Sequence, residues 1–190
     1  MTLKKWETIS SKHVLVDKWI KVRADHCVDQ FGNDISPYYV LDYPEWVKMV
    51  VLTPDNELVM IKQYRHGAGV IDWEIPAGNV EVGDTDYEGA ARRELLEETG
   101  FSAKQFELVT LFSPNTANHS NNIHLYLVRD AVKTQEPEFD ETENIITEVM
   151  PIPKVLDMIK SSCIKQSTHI SCLLVALSHA NLISLEAKAL

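Results

Sequence analysis

The chain has 190 residues, 18 of them Lys or Arg and 28 Asp or Glu, giving a net charge of −10 and a pI near 5.1. Nucleic-acid binding rests on lysines and arginines that displace counterions from phosphates, so an acidic chain with no long basic run is expected to take no nucleic acid. With 45% hydrophobic and 24% charged residues, the composition is that of a globular chain with one core and excludes a disordered one.

No stretch approaches the roughly 20 apolar residues of a membrane span, and the start, Met1 to Glu7, lacks the apolar run of a signal peptide, so no membrane contact and a cytoplasmic location are expected. Cys27, Cys163 and Cys172 are odd in number and show no Cys-x-x-Cys spacing, which suggests neither a disulfide framework nor a zinc site. In chain order, Val14 to Arg23 is rich in β-branched and aromatic residues. The turn signal Phe31-Gly32-Asn33-Asp34 separates it from Tyr38-Tyr39-Val40-Leu41, which predicts a hairpin or small meander. Two or three strands bury too little surface to stand alone, so residues 1–45 are expected to be a β-rich dimerisation region and the chain a homodimer.

From residue 46 onward the pattern changes. Trp46 to Leu52 and Leu58 to Gln63 read as central strands joined by Thr53-Pro54-Asp55-Asn56, where Pro presets the φ of a type I turn. Trp73-Glu74-Ile75 is a third short run, ended by Pro76-Ala77-Gly78. Further strands are predicted at Ile123 to Val128 and near Ile145 to Met150, with an acidic loop at 136–143 between them. Pro153 suits the first turn of one helix, and Ser167 is placed to cap another whose Ile170, Leu173, Leu174 and Leu177 recur at helical spacing. Strands interleaved with helices, without an internal repeat, predict an α/β sandwich with a mixed sheet over residues 46–190.

The most informative helix runs from Asp86 to Thr99. Thr85-Asp86-Tyr87-Glu88 has the capping-box form, and Gly100 fits the left-handed position beyond the helix end. Glu94, Glu97 and Glu98 then share one side of the last turn and a half. Like charges at this spacing cost a few tenths of a kcal/mol per pair, and carboxylates near a helix C-terminus face the negative end of the dipole. Arg92 and Arg93 compensate in part; a hard divalent cation bound by oxygens resolves the cluster more fully. Taken alone, such a run is usually a solvated helix face.

The flanking residues turn that reading. Gly78-Asn79-Val80-Glu81-Val82-Gly83-Asp84 and Arg93-Glu94-Leu95-Leu96-Glu97-Glu98-Thr99-Gly100-Phe101 closely resemble the Nudix box, G-x5-E-x7-R-E-U-x-E-E-x-G-U with U apolar. The second half matches at every fixed position. In the first half Asp84 stands where the family has Glu, and eight residues rather than seven separate it from Arg93. Gln63-Tyr64-Arg65-His66-Gly67, Trp73 to Gly78, Phe112-Ser113-Pro114 and Ile123 to Leu127 resemble the ADP-ribose pyrophosphatase branch, whose β-rich N-terminal region forms an intertwined dimer. Asn115 to Asn122 lacks the Gly-rich composition common in that branch.

The resemblance implies a Nudix α/β/α sandwich with a small N-terminal antiparallel sheet, and a Mg²⁺-dependent hydrolase with Mn²⁺ as a substitute. Glu94 and Glu98 are then direct metal ligands, Glu97 joins or orients them, and the backbone carbonyl of Ala77 completes the shell. Arg93 counts among the catalytic group by positioning a glutamate; its bland alternative is a surface ion pair worth under about 1 kcal/mol. The general base is expected on the acidic loop, as Glu141 or Glu143. Arg65 and Glu74 are expected at the substrate, Arg65 as a forked donor to phosphate and Glu74 as acceptor for ribose hydroxyls or for an arginine. His119 and His124 read as structural, and Trp46, Trp73, Tyr64 and Phe31 chiefly as core. The leading expectation is hydrolysis of ADP-ribose to AMP and ribose 5-phosphate. The alternatives are another nucleoside diphosphate sugar, such as GDP-mannose or ADP-glucose, and a non-catalytic ligand sensor.

Overall fold

The computed structural model describes residues 2–139 and 144–186. The chain divides into two compact units, Met1–Glu45 with Ser113–Asn122, and Trp46–Phe112 with Ile123–Leu190.

In the first unit, β1 (Glu7–Val16), β2 (Lys21–Val28) and β3 (Asp34–Leu41) form an antiparallel sheet in chain order. The β-rich run from Val14 to Arg23 is therefore not one strand. It straddles the β1–β2 turn, where the Asp17 carboxylate accepts from the amides of Trp19 and Ile20 at 2.7 and 2.8 Å and stops the extended chain. The second turn lies where the Gly-Asn signal put it, with Gly32 at φ +86°. All ten residues of β1 are exposed, Ile9, Val14, Leu15 and Val16 included. Charge knits the sheet together: Arg23 bridges Asp25 and Asp42, and His13 meets Asp42 at 2.9 Å. Residues 113–122 join this unit through Leu41, whose amide donates to Asn118 O at 2.7 Å, and through Ser120 Oγ, which donates to Asp42 at 2.7 Å.

The second unit contains β4 (Trp46–Val51), β5 (Glu57–Arg65), β6 (Val70–Glu74), β7 (Ala77–Asn79), α1 (Tyr87–Thr99), β8 (Phe101–Ser102), β9 (Gln105–Phe112), β10 (Ile123–Arg129), β11 (Val132–Lys133), β12 (Ile145–Pro151), α2 (Ile152–Lys160) and α3 (Ser167–His179). One sheet runs β7-β4-β10-β9, mixed because β4 and β10 are parallel; another runs β12-β5-β6, and β11 pairs with β8. This is an α/β fold.

The period of two along β4 divides the core. Val47, Met49 and Val51 face α1, packing with Ala90, Ala91 and Leu95, while Val50 and Leu52 join Cys172, Leu173, Ala176 and Leu177 of α3. In β10, Tyr126 and Val128 go to the first cluster and Ile123, Leu125 and Leu127 to the second. The central sheet is thus covered on both faces, which explains the near-continuous apolar runs of both strands. Cys27 and Cys172 are buried, Cys163 exposed, and all three are free. No helix among the described residues is long and apolar enough to cross a membrane.

Two helix starts differ from expectation. Asp86, not Thr85, caps α1, its carboxylate accepting from the Gly89 amide at 2.7 Å. Ser167 is the first residue of α3 rather than its cap, and Gln166 precedes it without a side-chain cap bond.

Candidate active site

Helix α1 is held in register at both ends. Asp86 closes its start, and Gly100, in the left-handed region at φ +71°, ends it by donating its amide to Leu96 O at 2.8 Å. A Cβ at Gly100 would lie 2.1 Å from the carbonyl oxygen of Gln135, so the close approach as well as the conformation requires glycine. The last turn of α1 carries no basic residue, so the carboxylates of Glu94, Glu97 and Glu98 meet the negative helix end unshielded by their own turn.

Arg93, in the preceding turn, meets the charge of Glu94 and Glu97. Nε and Nη2 donate to the two oxygens of Asp84 at 3.0 and 3.1 Å, Nη1 donates to Glu94 at 3.0 Å and Glu97 at 2.9 Å, and Nη2 also donates to Asn79 O at 2.9 Å. A guanidinium has five N–H groups, and each has an acceptor here. The Arg93 fork holds the Asp84 carboxyl below the usual carboxylate range, and the same bond raises Arg93 further above its own. Asp84 thus reaches Arg93 despite the extra residue between them, because the added length is absorbed before α1 begins.

Glu94 and Glu98 converge on one short stretch of backbone. Glu98, 5% exposed, accepts from the Ala77 amide at 2.9 Å. The Glu94 carboxylate presses on Gly78 so closely that a Cβ there would lie 1.9 Å from Glu94 Cδ. Glu97 stays on the exposed side with Arg93. Among the described residues no group of three or more His, Cys, Asp or Glu side chains is arranged to hold an ion. What the fold brings together here is two carboxylates, Glu94 and Glu98, against the Ala77–Gly78 backbone, and carboxylate oxygens are hard donors of the kind that suit Mg²⁺ or Mn²⁺.

A second cluster lies between β4, β6 and α3. Arg65 grips Glu74 with a fork, Nε to Oε1 at 2.7 Å and Nη2 to Oε2 at 2.6 Å; the Glu74 carboxylate is fully buried and the arginine half-exposed. Behind Glu74 stands His169, 1% exposed, with Nε2 3.4 Å from Glu74 Oε2 and 2.6 Å from Lys48 Nζ. The Ile75 amide donates to His169 Nδ1 at 3.2 Å, and Lys48 Nζ donates to Thr168 Oγ1 at 3.1 Å. Burial pulls the Lys48 ammonium down to about 8, and burial, then the charges of Lys48 and Arg65, push the His169 imidazolium well below its usual range.

Residues 43–165 match the NUDIX domain and residues 6–41 the nucleoside diphosphate sugar hydrolase N-terminal domain. The chain belongs to the Nudix family. A methanol dehydrogenase activator of Bacillus methanolicus is 29% identical to this Nudix hydrolase over 85% of this chain and 86% of its own, and an ADP-ribose pyrophosphatase of Bacillus subtilis (strain 168) is 27% identical over 82% and 83%. The solved structure of an ADP compounds hydrolase superposes with a TM-score of 0.82 at 21% identity, covering 96% of this chain and 100% of that one, a likeness of fold.

Of the residues singled out in the sequence, the Nudix fold brings Ala77, Glu94 and Glu98 together, ties Glu97 to them through Arg93, and joins Arg65 to Glu74. Of the two partners expected for Glu74, the structure supplies the arginine. Glu141 and Glu143 lie outside the described residues. His124 is buried and stacks on Tyr87 with ring centroids 3.7 Å apart, while His119 tilts against Tyr43. Trp46 and Trp73 pack on the core, but Tyr64 and Phe31 are exposed. Lys48 and His169 were missed. The available signal was Lys48 itself, a charged residue in the middle of an apolar run long enough to be a strand covered on both faces, where a lysine needs a partner.

Proposed function

We propose that this Nudix hydrolase is a Mg²⁺-dependent pyrophosphatase of ADP-ribose, adding water across the diphosphate to give AMP and ribose 5-phosphate. The observation that carries the reading is the convergence of Glu94 and Glu98 on the Ala77–Gly78 backbone, braced by Arg93 and Asp84. It is joined by the activity for which the Bacillus subtilis relative is named, ADP-ribose pyrophosphatase, in a protein that aligns over most of both chains.

Glu94, Glu98 and the Ala77 carbonyl would hold the metal, with Glu97 joining or orienting them, and a Mg²⁺ bound there would neutralise phosphate oxygens and acidify water. The chain's own residues set the geometry. Asp84 orients Arg93, Arg93 turns the Glu94 and Glu97 carboxylates, and the Ala77 amide turns Glu98, so the oxygen donors are ordered before any ion arrives. Arg65, aimed by the buried Glu74, offers its guanidinium to the diphosphate. The proton acceptor for the attacking water belongs to Glu141 or Glu143. The ten exposed residues of β1, four of them large and apolar, support a homodimer built through the N-terminal sheet; a monomeric mass by solution scattering rules that out.

The match of residues 6–41 to a nucleoside diphosphate sugar hydrolase domain favours a second reading, a broader preference that includes GDP-mannose or ADP-glucose. Phosphate release, coupled through a phosphatase, from ADP-ribose, ADP-glucose, GDP-mannose, dinucleoside polyphosphates and NADH, with Mg²⁺ and with chelator, separates the two. Turnover of ADP-ribose above the others, abolished by chelator, is the expected result. Faster turnover of another nucleotide sugar replaces the substrate, and silence across the panel returns the chain to the sensor reading.

A further inference from the structure

Three ionisable side chains from distant parts of the sequence, Lys48, Glu74 and His169, are packed where apolar side chains would serve the core equally well. Each is 3% exposed or less. Replacing a buried ionic cluster by apolar groups of similar volume is commonly neutral or stabilising, so stability does not account for the cluster; a geometric task does. Two tasks are visible. The first is at Nδ1, which accepts from the Ile75 amide at 3.2 Å and so fixes the orientation of the ring. Ile75 directly follows β6 and is two residues before Ala77, and β6 itself is pinned where Asp72 accepts from the Lys165 amide at 3.1 and 3.2 Å. The second task is at Nε2, which stands behind the carboxylate that Arg65 grips.

We propose that His169, backed by Lys48, is a positioning residue of the hydrolytic site: through Glu74 it sets the direction in which Arg65 presents its guanidinium to the substrate diphosphate. This rests on the reading above that Arg65 binds substrate. His169 touches no substrate itself. Its influence passes through one carboxylate, both of whose oxygens the Arg65 fork holds at 2.6–2.7 Å while Gln63 Nε2 adds a longer bond to Oε2 at 3.4 Å, so that tilting Glu74 tilts the guanidinium plane with it. The first turn of α3, where Thr168 and His169 sit, is thereby coupled to substrate affinity although it contributes no contact to the ligand.

The test is His169→Asn, alone and with Arg65→Ala. The Asn amide oxygen can take the place of Nδ1 and keep the Ile75 bond, but the side chain does not reach Lys48 or Glu74. Expected are a native circular-dichroism spectrum with a lowered melting temperature, because the buried Lys48 loses a partner, KM for ADP-ribose and its dissociation constant measured calorimetrically in chelator both raised about tenfold, and kcat within about twofold. On the Arg65→Ala background the same substitution is expected to change affinity less than twofold, because the residue it acts through is gone. Affinity loss of equal size on both backgrounds, or no loss on either, overturns the proposal. Should the Asn variant fail to fold, His169→Gln reaches the Nε2 position from the other side and is expected to keep parental affinity; a tenfold loss there overturns it too. The Arg65 Nε–H resonance, followed by ¹⁵N NMR without ligand, separates this proposal from the functional one. A resonance that shifts or broadens in His169→Asn supports the positioning role even if the parent chain turns over no nucleotide sugar, and an unchanged resonance overturns it even if turnover is brisk.

Discussion

The Arg93 hub and the Lys48–Glu74–His169 cluster solve the same problem, carboxylates that need cations, by opposite routes. The hub is nearly local: Arg93, Glu94, Glu97 and Glu98 lie within six positions of one helix, and Asp84 and Asn79 sit just upstream. The cluster draws one residue each from β4, β6 and α3, separated by up to 121 positions. Helical spacing places i, i+3 and i+4 side chains together whatever the rest of the chain does, whereas the cluster exists only because the sheet and α3 close on one another. The hub is half-buried, with Glu97 open to solvent and Asp84, Glu94 and Glu98 largely shielded; the cluster is sealed, so each of its charges carries a desolvation cost. A strained electrostatic pattern therefore shows in the sequence when it is local, and can pass unnoticed when tertiary packing assembles it.

Removing a charge from the hub should have the largest effect. Glu98→Gln is expected to keep the fold, since the amide oxygen can still accept from the Ala77 amide, while lowering turnover by about 100-fold or more; parental turnover in a coupled phosphate assay would end the ligand assignment. Gly78→Ala tests the same corner sterically. The nearest atoms to its Cβ are the carboxylate end of the Glu94 side chain, so circular dichroism should show an intact fold, while Mn²⁺ affinity by calorimetry falls on the order of tenfold; unaltered binding would mean that Glu94 does not need to touch Gly78.

The cluster is probed through pH. A lysine whose folded value is lowered from 10.5 to about 8 binds its proton less tightly in the folded state. Stability is therefore expected to rise as pH goes from about 8 to about 10.5, where only the unfolded chain holds the proton, and to lose that contribution below about 8. The Lys48 contribution to that rise should be about 3 kcal/mol. Lys48→Met, compared by urea unfolding in chelator across that window, should lack it; identical slopes for the two proteins would show that Lys48 carries no such penalty. Smallest is the frame itself: Asp86→Ala removes the α1 cap and should cost about 1 kcal/mol, seen as a drop of roughly 2–4 °C in Tm. A drop of that size with unchanged kcat would separate the helix's stability from the placement of its glutamates.

Much was legible from residues alone. The apolar runs of β4, β5, β10 and β12, the extent of α1, the Gly100 stop and the approach of Glu94, Glu97 and Glu98 all follow from periods of 2 and 3.6 and from turn chemistry that acts over a few residues. The errors were also local in kind. Thr85 and Asp86 are both good caps and only backbone geometry chose Asp86; Val14 to Arg23 reads as one β-rich run because Trp19 and Ile20 are strand formers, although Asp17 turns the chain there.

What the sequence determined by itself is the set of short-range relations: which segments are strands or helices, that α1 carries a carboxylate cluster, and that Arg93 lies one turn from Glu97. Tertiary structure alone decided that Glu98 and Glu94 meet the Ala77–Gly78 backbone, that Asp84 completes the Arg93 fork, and that Lys48 and His169 stand behind Glu74. The physical reason is range. Backbone sterics and hydrogen-bond periodicity act over a few residues, while the burial that brings β4, β6, β7, α1 and α3 together is a non-directional sum over the whole core.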